Sequence, residues 1–131
     1  MDENCVGAIV VDQAVNLHKA MGPGLLEAVY EVVLAKQLEK AGLSVRRQVA
    51  APIVFEGLKL SQGFRADIIV NDLVILELKS VEKVLPVRKK QLLTYQLLAY
   101  LKLTQLKLGY LLNFGDELMK KGITRIINGQ L

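Results

Sequence analysis

Three charged residues lie inside otherwise apolar stretches of the chain. Asp67 is followed by Ile-Ile-Val, and Glu77 and Lys79 alternate with Leu76 and Leu78. Because residues i and i+2 of a strand share a face, Glu77 and Lys79 are expected to project side by side. Burying a charge is costly unless the charge is paired or bound to a metal. Either the three groups satisfy one another, or the two carboxylates hold a cation with Lys79 alongside.

Two carboxylates beside a lysine could carry metal-dependent phosphoryl chemistry. Asp and Glu supply hard oxygen ligands, which suit Mg²⁺ or Mn²⁺. Such an ion polarises a phosphoryl oxygen and lowers the pKa of a bound water. A nearby lysine can orient that water or neutralise charge in the transition state. Taken alone, the D-x9-E-x-K spacing favours a plainer interpretation, a surface ion pair on a half-exposed sheet, since such pairs are common.

The turn between Asp67 and Glu77 decides whether the two carboxylates can share a site. Asn71-Asp72 is a turn signal between two strand-like stretches. A two-residue loop there pairs Asp67 with Leu76, which points Asp67 away from Glu77. A three-residue loop over 71–73, or a bulge, places Asp67 opposite Glu77. A shared site therefore requires an odd loop or a bulge.

Hydrophobic periodicity predicts two helices, a run of strands, a third helix and a further strand. The predicted helices cover 5–20, 25–41 and 86–104, and the predicted strands cover 44–56, 58–70, 73–81 and 106–114. A short polar helix at 116–121 and a last strand at 123–127 close the chain. The order is α-α-β-β-β-α-β followed by a small tail. We therefore expect an α/β (α+β) fold, with a mixed β-sheet flanked by helices.

Length and composition exclude several classes of protein. The chain has 131 residues, so we expect a single domain over 1–131. One cysteine excludes an internal disulfide framework and a cysteine-rich zinc site. No apolar stretch reaches the length of a membrane span, and Met1-Asp2-Glu3 has the wrong charge for a signal peptide. We expect a soluble cytoplasmic protein, whose net charge of +4 permits a polyanionic partner without requiring one.

The arrangement of motifs resembles a known family. Asp67 and Glu77-Leu78-Lys79 on adjacent predicted strands, with a helix before and after, resemble the PD-(D/E)XK nuclease superfamily. Gly24, Glu27 and Tyr30 match the motif of the GxxExxY proteins, a small bacterial and archaeal branch of that superfamily. Further matches, in the same order, are His18, Leu85-Pro86-Val87, Gln91-Leu92-Leu93-Thr94-Tyr95, Leu101-Lys102-Leu103 and Gly109-Tyr110-Leu111-Leu112-Asn113-Phe114. The resemblance covers roughly residues 5–115.

The resemblance implies a restriction-endonuclease-like core and a metal-dependent nuclease that hydrolyses the phosphodiester bonds of nucleic acid. It implies that Asp67 and Glu77 are ligands of Mg²⁺ or Mn²⁺, with the backbone carbonyl of Leu78 as a third ligand. Lys79 then positions or activates the attacking water. The resemblance further implies that Glu27 reaches the same metal cluster, directly or through water. It places Gln91 near the site, on the following helix.

The third predicted helix departs from the family pattern. Gln91-Leu-Leu-Thr-Tyr95 is followed at once by Gln96-Leu-Leu-Ala-Tyr100, so the block is duplicated. Five residues turn a helix by about 500°, so the two glutamines point roughly 140° apart and cannot both face one site. Gln91 keeps the expected spacing from Pro86, and Gln96 keeps the spacing to Leu101, so either could face the site. Arg88 also stands where the family more often has histidine.

Basic residues suggest where nucleic acid could bind. Arg88, Lys89 and Lys90 fall in the first turn of the third predicted helix, where their charge opposes the helix dipole. A bound phosphate would relieve that conflict, and Arg65 could join the same face. We expect contacts to the nucleic-acid backbone without sequence readout, with DNA favoured over RNA. The alternative is a solvated surface, because acids that include Glu31 are interspersed among these bases.

Other functions stay open at this point. A catalytically weak or inactive module could keep the fold and bind nucleic acid or a protein partner, and apolar surface on the terminal helices could support a homodimer. A purely structural protein with ion-paired acids predicts no metal affinity. The complete acid–lysine set favours the enzyme, whereas the altered glutamine helix favours the module. The only histidine, His18, is expected to be a partly exposed helix residue.

Overall fold

A computed structural model describes residues 1–50, 53–60, 65–81 and 86–131. Its helices are α1 (Glu3–Met21), α2 (Glu27–Lys40), α3 (Val87–Thr104) and α4 (Met119–Gly122). Its strands are β1 (Val45–Ala50), β2 (Ile53–Phe55), β3 (Leu58–Leu60), β4 (Arg65–Val70), β5 (Val74–Lys79), β6 (Leu108–Asn113) and β7 (Ile123–Ile127). Within the described ranges, no helix is both long and apolar enough to cross a membrane.

Five strands form one mixed sheet in the order β1-β4-β5-β6-β7. Strand β5 pairs parallel to β6, and the other neighbours pair antiparallel. Between β5 and β6 the chain runs through α3, the helical crossover that a parallel pair needs. The mixed sheet with flanking helices confirms the predicted fold class.

The predicted order was too simple between α2 and α3. The stretches 44–56 and 58–70 each contain two strands, so five strands replace the predicted three. Strands β2 and β3 pair with each other in a separate two-stranded sheet. The reason is the turn at Glu56-Gly57, where φ is positive at both residues (49° and 80°). Such a turn closes a tight hairpin, so this segment pairs locally instead of extending the main sheet.

Helix α2 begins two residues later than predicted because a tyrosine holds the preceding turn. The Tyr30 hydroxyl donates to the carbonyl of Gly22 at 2.6 Å and accepts from the N–H of Leu25 at 3.2 Å. Gly22 has a φ of 71°, which permits the sharp end of α1. The Tyr30 ring stacks on Phe114 with centroids 4.5 Å apart. The start of α2 is thereby tied to the end of β6.

Apolar side chains cover both faces of the sheet. Helices α1 and α2 pack on one face, where Val10, Leu34 and Leu76 belong to the larger buried cluster. Helix α3 packs on the other face, where Leu97 and Ile75 belong to the smaller cluster. All six residues of β6 are buried, as expected for a strand with apolar residues on both faces. The sheet is thus held from both sides, which makes it a rigid base for side chains on β4 and β5.

The segment that follows β5 is fixed by the end of β6. The carbonyl of Lys79 accepts from the N–H of Phe114 at 2.8 Å. The Asn113 side-chain oxygen accepts from the N–H groups of Val81 and Gly115, at 3.0 and 3.1 Å. Gly115 lies so close to Val81 that an added Cβ would overlap the Val81 backbone. This contact sets where the chain goes immediately after Lys79.

Gly115→Ala is therefore expected to destabilise the protein by at least about 2 kcal/mol, because backbone cannot move aside as a side chain can. Urea denaturation followed by circular dichroism measures the change. Gly109→Ala is the control, since its Cβ would meet the flexible Leu97 side chain at 3.3 Å. Equal destabilisation by the two substitutions would contradict the packing assigned to Gly115.

Candidate metal and nucleic-acid site

The turn between β4 and β5 has three residues. Ile68 pairs with Leu76, and Val70 pairs with Val74, which leaves 71–73 as the loop. Continued by one step, this register sets Asp67 across from Glu77. The odd loop that a shared site requires is present.

The two strands stop pairing where the carboxylates begin. The last β4–β5 pair before the site is Ile68 with Leu76, although both strands run further. Beyond this pair, carboxylate side chains of one strand accept hydrogen bonds from backbone N–H groups of the other strand. The Asp67 Oδ2 atom accepts from the N–H of Leu78 at 2.9 Å, and Glu77 Oε1 accepts from the N–H of Asp67 at 3.3 Å. Each carboxylate is thus oriented by the opposite strand.

Strand β1 is also distorted beside Asp67. Arg47 pairs with Ile68 and Val49 pairs with Ala66, so Gln48 lies across from Asp67. Gln48 has a φ of 52°, a left-handed conformation that is unusual for a residue other than glycine. Its Nε2 atom donates to Glu31 Oε1 at 2.7 Å and lies 3.5 Å from Asp67 Oδ1.

Glu31 is a buried acid that we had expected among the surface residues. It is 6% exposed, and its Oε2 atom accepts from Arg47 Nε at 3.0 Å and from Arg47 Nη2 at 2.7 Å. Its partners on β1 explain how the charge can be buried. The sequence could have indicated that Glu31 lies near the site, because it follows Glu27 by four residues and such residues share a helix face.

Burial, with a smaller contribution from neighbouring acids, raises the pKa of both carboxyls at the site. Burial raises the pKa of Glu77 to about 7, and the neighbouring charge of Asp67 contributes to the rise. Burial also raises the pKa of Asp67, with a smaller contribution from the charge of Glu31. The charge of Lys79 opposes both shifts. A buried carboxyl with a strongly raised pKa beside a second acid, as at Glu77, is a feature of many functional sites.

A family model of the PD-(D/E)XK nuclease superfamily matches residues 4–126. The chain belongs to this superfamily. Comparison with curated proteins and with solved structures finds no significant match. Members of the superfamily generally use divalent metal ions, and the mixed sheet described above is consistent with their restriction-endonuclease-like fold.

For a PD-(D/E)XK protein, this site has few side chains that could act as metal ligands. Among the described residues, no three His, Cys, Asp or Glu side chains are placed to hold one metal ion together. Asp67 and Glu77 still supply the hard oxygen atoms that Mg²⁺ prefers. This ion is commonly bound through one or two carboxylates, with waters and substrate phosphate completing its shell. The two carboxylates fit a metal held in that way.

The other residues expected at the site differ in their exposure and in their contacts with the two carboxylates. Glu27 is exposed in the first turn of α2, yet its charge contributes to the raised pKa of Glu77. Leu78 has a buried side chain and meets Asp67 through its N–H. Gln91 is exposed on α3, and no described hydrogen bond joins it to either carboxylate. Gln96 is also exposed and donates to the Tyr100 hydroxyl at 2.7 Å.

Four basic residues were expected to meet a nucleic-acid backbone. Arg88 and Lys89 are exposed and Lys90 is half-buried in the first turn of α3, which contains no acidic residue. Arg65 is exposed at the start of β4, and its Nη1 atom donates to the carbonyl of Gln48 at 3.0 Å. Arg65 therefore also supports the distorted part of β1.

His18 was wrongly expected to be partly exposed. It is 7% exposed, and its Nε2 atom donates to the carbonyl of Asp116 at 2.7 Å. This bond joins α1 to the loop after β6, a contact across 98 sequence positions. Local helical pattern carries no information about such a contact, which is why the sequence did not reveal it.

The titration of Glu77 predicts how stability depends on pH. The folded protein holds a proton on Glu77 up to about pH 7, whereas the unfolded chain releases it near 4.5. The free energy of unfolding contributed by this group therefore falls as the pH rises from about 4.5 to 7. Glu77→Gln removes the charge, so the variant is expected to be more stable than wild type at pH 8, on the order of 1–3 kcal/mol.

Urea denaturation of the metal-free proteins at several pH values between 5 and 8 measures this difference. The advantage of Glu77→Gln should shrink towards pH 5, where wild-type Glu77 is protonated. Glu117→Gln makes the same substitution at an exposed acid and serves as the control. An advantage of Glu77→Gln that does not change with pH would contradict the assigned titration.

Proposed function

We propose that the protein is a nuclease that hydrolyses phosphodiester bonds of nucleic acid and depends on Mg²⁺ or Mn²⁺. The observation that carries the proposal is the pair Asp67 and Glu77, which face each other where β4 and β5 separate, with Lys79 on the same strand. Two like charges crowded together destabilise a fold unless a cation or a proton joins them. A divalent cation removes that conflict and serves phosphoryl transfer.

In this proposal Asp67 and Glu77 would hold the cation, with the carbonyl of Leu78 as a further ligand. When bound, the cation polarises a phosphoryl oxygen and lowers the pKa of a coordinated water. The Lys79 ammonium orients the attacking water by hydrogen bonding and balances charge that develops on the phosphate. The hydrogen bonds from Leu78 and Asp67 N–H groups hold the carboxylates in place before substrate arrives.

We also propose that the chain belongs to the GxxExxY branch of the superfamily. Gly24, Glu27 and Tyr30 carry that motif, and Tyr30 fixes the turn that starts α2. Glu27 acts on the site from the first turn of α2, through water or at the metal, and its influence on the pKa of Glu77 supports this role. In this proposal Gln91, which is exposed on α3, lies near the site and contacts the bound substrate.

The proposed substrate is DNA in preference to RNA, bound through its backbone. Arg88, Lys89 and Lys90 concentrate positive charge where α3 begins, and no side chain caps that end of the helix. Phosphate groups there would be favoured by the exposed N–H groups and by the helix dipole. Arg65 adds a further exposed cation on β4, two residues before Asp67, where its Nη1 atom donates to the carbonyl of Gln48.

A second candidate is a catalytically weak or inactive module that binds nucleic acid or a protein partner, as a single domain or a homodimer. Two observations favour it. Among the described residues, the acids do not form a set of three around one metal position. Gln91 is also exposed, without a described bond to the carboxylates. Such a module would bind nucleic acid without cleaving it.

Cleavage assays on plasmid DNA, single-stranded DNA and RNA, with Mg²⁺, Mn²⁺ or a chelator, test the proposal. Asp67→Asn and Lys79→Met are each expected to lower the cleavage rate at least about hundredfold, because each removes charge needed in the transition state. Asp72→Asn is the matched control, since Asp72 lies in the same hairpin and pairs only with the exposed Arg46 among its described ion pairs.

Cleavage that survives Asp67→Asn unchanged would contradict the proposal and indicate a contaminating nuclease. Nucleic-acid binding by the wild-type protein without cleavage under any metal condition would support the second candidate. Loss of cleavage in Asp72→Asn as well would show that the assay reports hairpin folding instead of the site. The molar mass of the protein, measured by size-exclusion chromatography with light scattering, distinguishes a monomer from a homodimer.

A further inference from the structure

The strand pairing around Gln48 does not explain the conformation of its backbone. The register between β1 and β4 is the same on both sides of Gln48, so the strand contains no extra residue there. Even so, φ at Gln48 is 52°. A left-handed residue with a side chain is unfavourable, and such residues persist only where surrounding contacts hold them. Here the contacts are those of the Gln48 side chain and carbonyl.

The side chain of Gln48 joins two acids from different elements. Its Nε2 atom donates to Glu31 Oε1 on α2 at 2.7 Å, and lies 3.5 Å from Asp67 Oδ1 on β4. The carbonyl of Gln48 accepts from Arg65 Nη1 at 3.0 Å. The Gln48 amide thus stands between two carboxylates that repel each other, and it has two N–H groups to offer them.

Asp67 has a described contact at each of its carboxylate oxygen atoms. Oδ2 accepts from the N–H of Leu78 at 2.9 Å, which leaves Oδ1 as the atom that Gln48 approaches. The contact to Gln48 is longer, so it orients Oδ1 without occupying it as fully as a short hydrogen bond would. A metal ligand with this kind of support keeps one orientation while remaining able to bind a cation.

We propose that Gln48 is a positioning residue, whose strained backbone and amide aim Asp67 Oδ1 at the metal and separate it from Glu31. This inference rests on the proposed function of Asp67 as a metal ligand. Glu31 and Arg47 act as its support, because Arg47 fixes Glu31 and Glu31 fixes the Gln48 amide. Gln48 does not itself take part in the reaction.

The decisive variant is Gln48→Gly. Glycine adopts a left-handed φ without cost, so this change removes the amide and relieves the backbone at once. If the only role of Gln48 were to provide a residue with a positive φ in β1, Gln48→Gly would bind metal as tightly as wild type. If Gln48 positions Asp67, affinity for Mn²⁺ is expected to fall at least about tenfold, the usual effect of losing a group that supports a metal ligand.

Gln105→Gly is the matched control. Gln105 is exposed at the end of α3 and has a φ of 61°, so the same substitution is made at another residue with a positive φ, outside the described contacts of Asp67. Gln48→Met is a second test variant, which keeps the length of the side chain but removes the N–H donors. It preserves the test if Gln48→Gly does not fold, as judged by circular dichroism.

The measurement is a titration of the full chain with Mn²⁺, in which electron paramagnetic resonance reports the free ion. We expect wild type and Gln105→Gly to bind equally, Asp67→Ala to lose binding, and Gln48→Gly and Gln48→Met to bind about tenfold more weakly. Equal affinity of wild type and the Gln48 variants would overturn this inference and leave the proposed function intact. No Mn²⁺ binding by wild type, alone or with a short DNA duplex, would overturn both.

Discussion

The structure depends on how it accommodates two like charges that face each other across a gap in a β-sheet. Asp67 and Glu77 lie where β4 and β5 stop pairing. Burial raises the pKa of each, and the neighbouring charge of Asp67 adds to the rise at Glu77. The gap exposes backbone N–H groups that would otherwise belong to the ladder. The carboxylates accept from these groups, so the same interruption that creates the site also orients it.

A site that weakens the sheet needs compensation elsewhere. Apolar clusters on both faces of the sheet supply it, because α1 and α2 cover one face and α3 covers the other. The parallel pairing of β5 with β6 continues as far as Lys79 and Asn113, beyond the point where β5 leaves β4. Strand β5 can therefore separate from one neighbour while the other neighbour holds it in place.

A second layer of charged and polar groups surrounds the carboxylates. Arg47 neutralises Glu31, and Gln48 lies between Glu31 and Asp67. These groups come from α2, β1 and β4, three elements that meet only in the folded chain. Glu31 is thus a third acid close to the pair, and its partners Arg47 and Gln48 reduce its repulsion of Asp67. The remaining repulsion contributes to the raised pKa of Asp67.

The sequence by itself determined the helices and most strands, and it singled out the charged residues of the candidate site. Periodicities of 3.6 and two residues are local, so they revealed α1, α3 and the buried β6, and they made Asp67, Glu77 and Lys79 stand out as charges in apolar strands. Only the tertiary structure decided the three-residue turn, the separation of β4 from β5, and the burial of Glu31 and His18. Each of these depends on contacts between residues far apart in the chain, and no local pattern records which partner a side chain will meet.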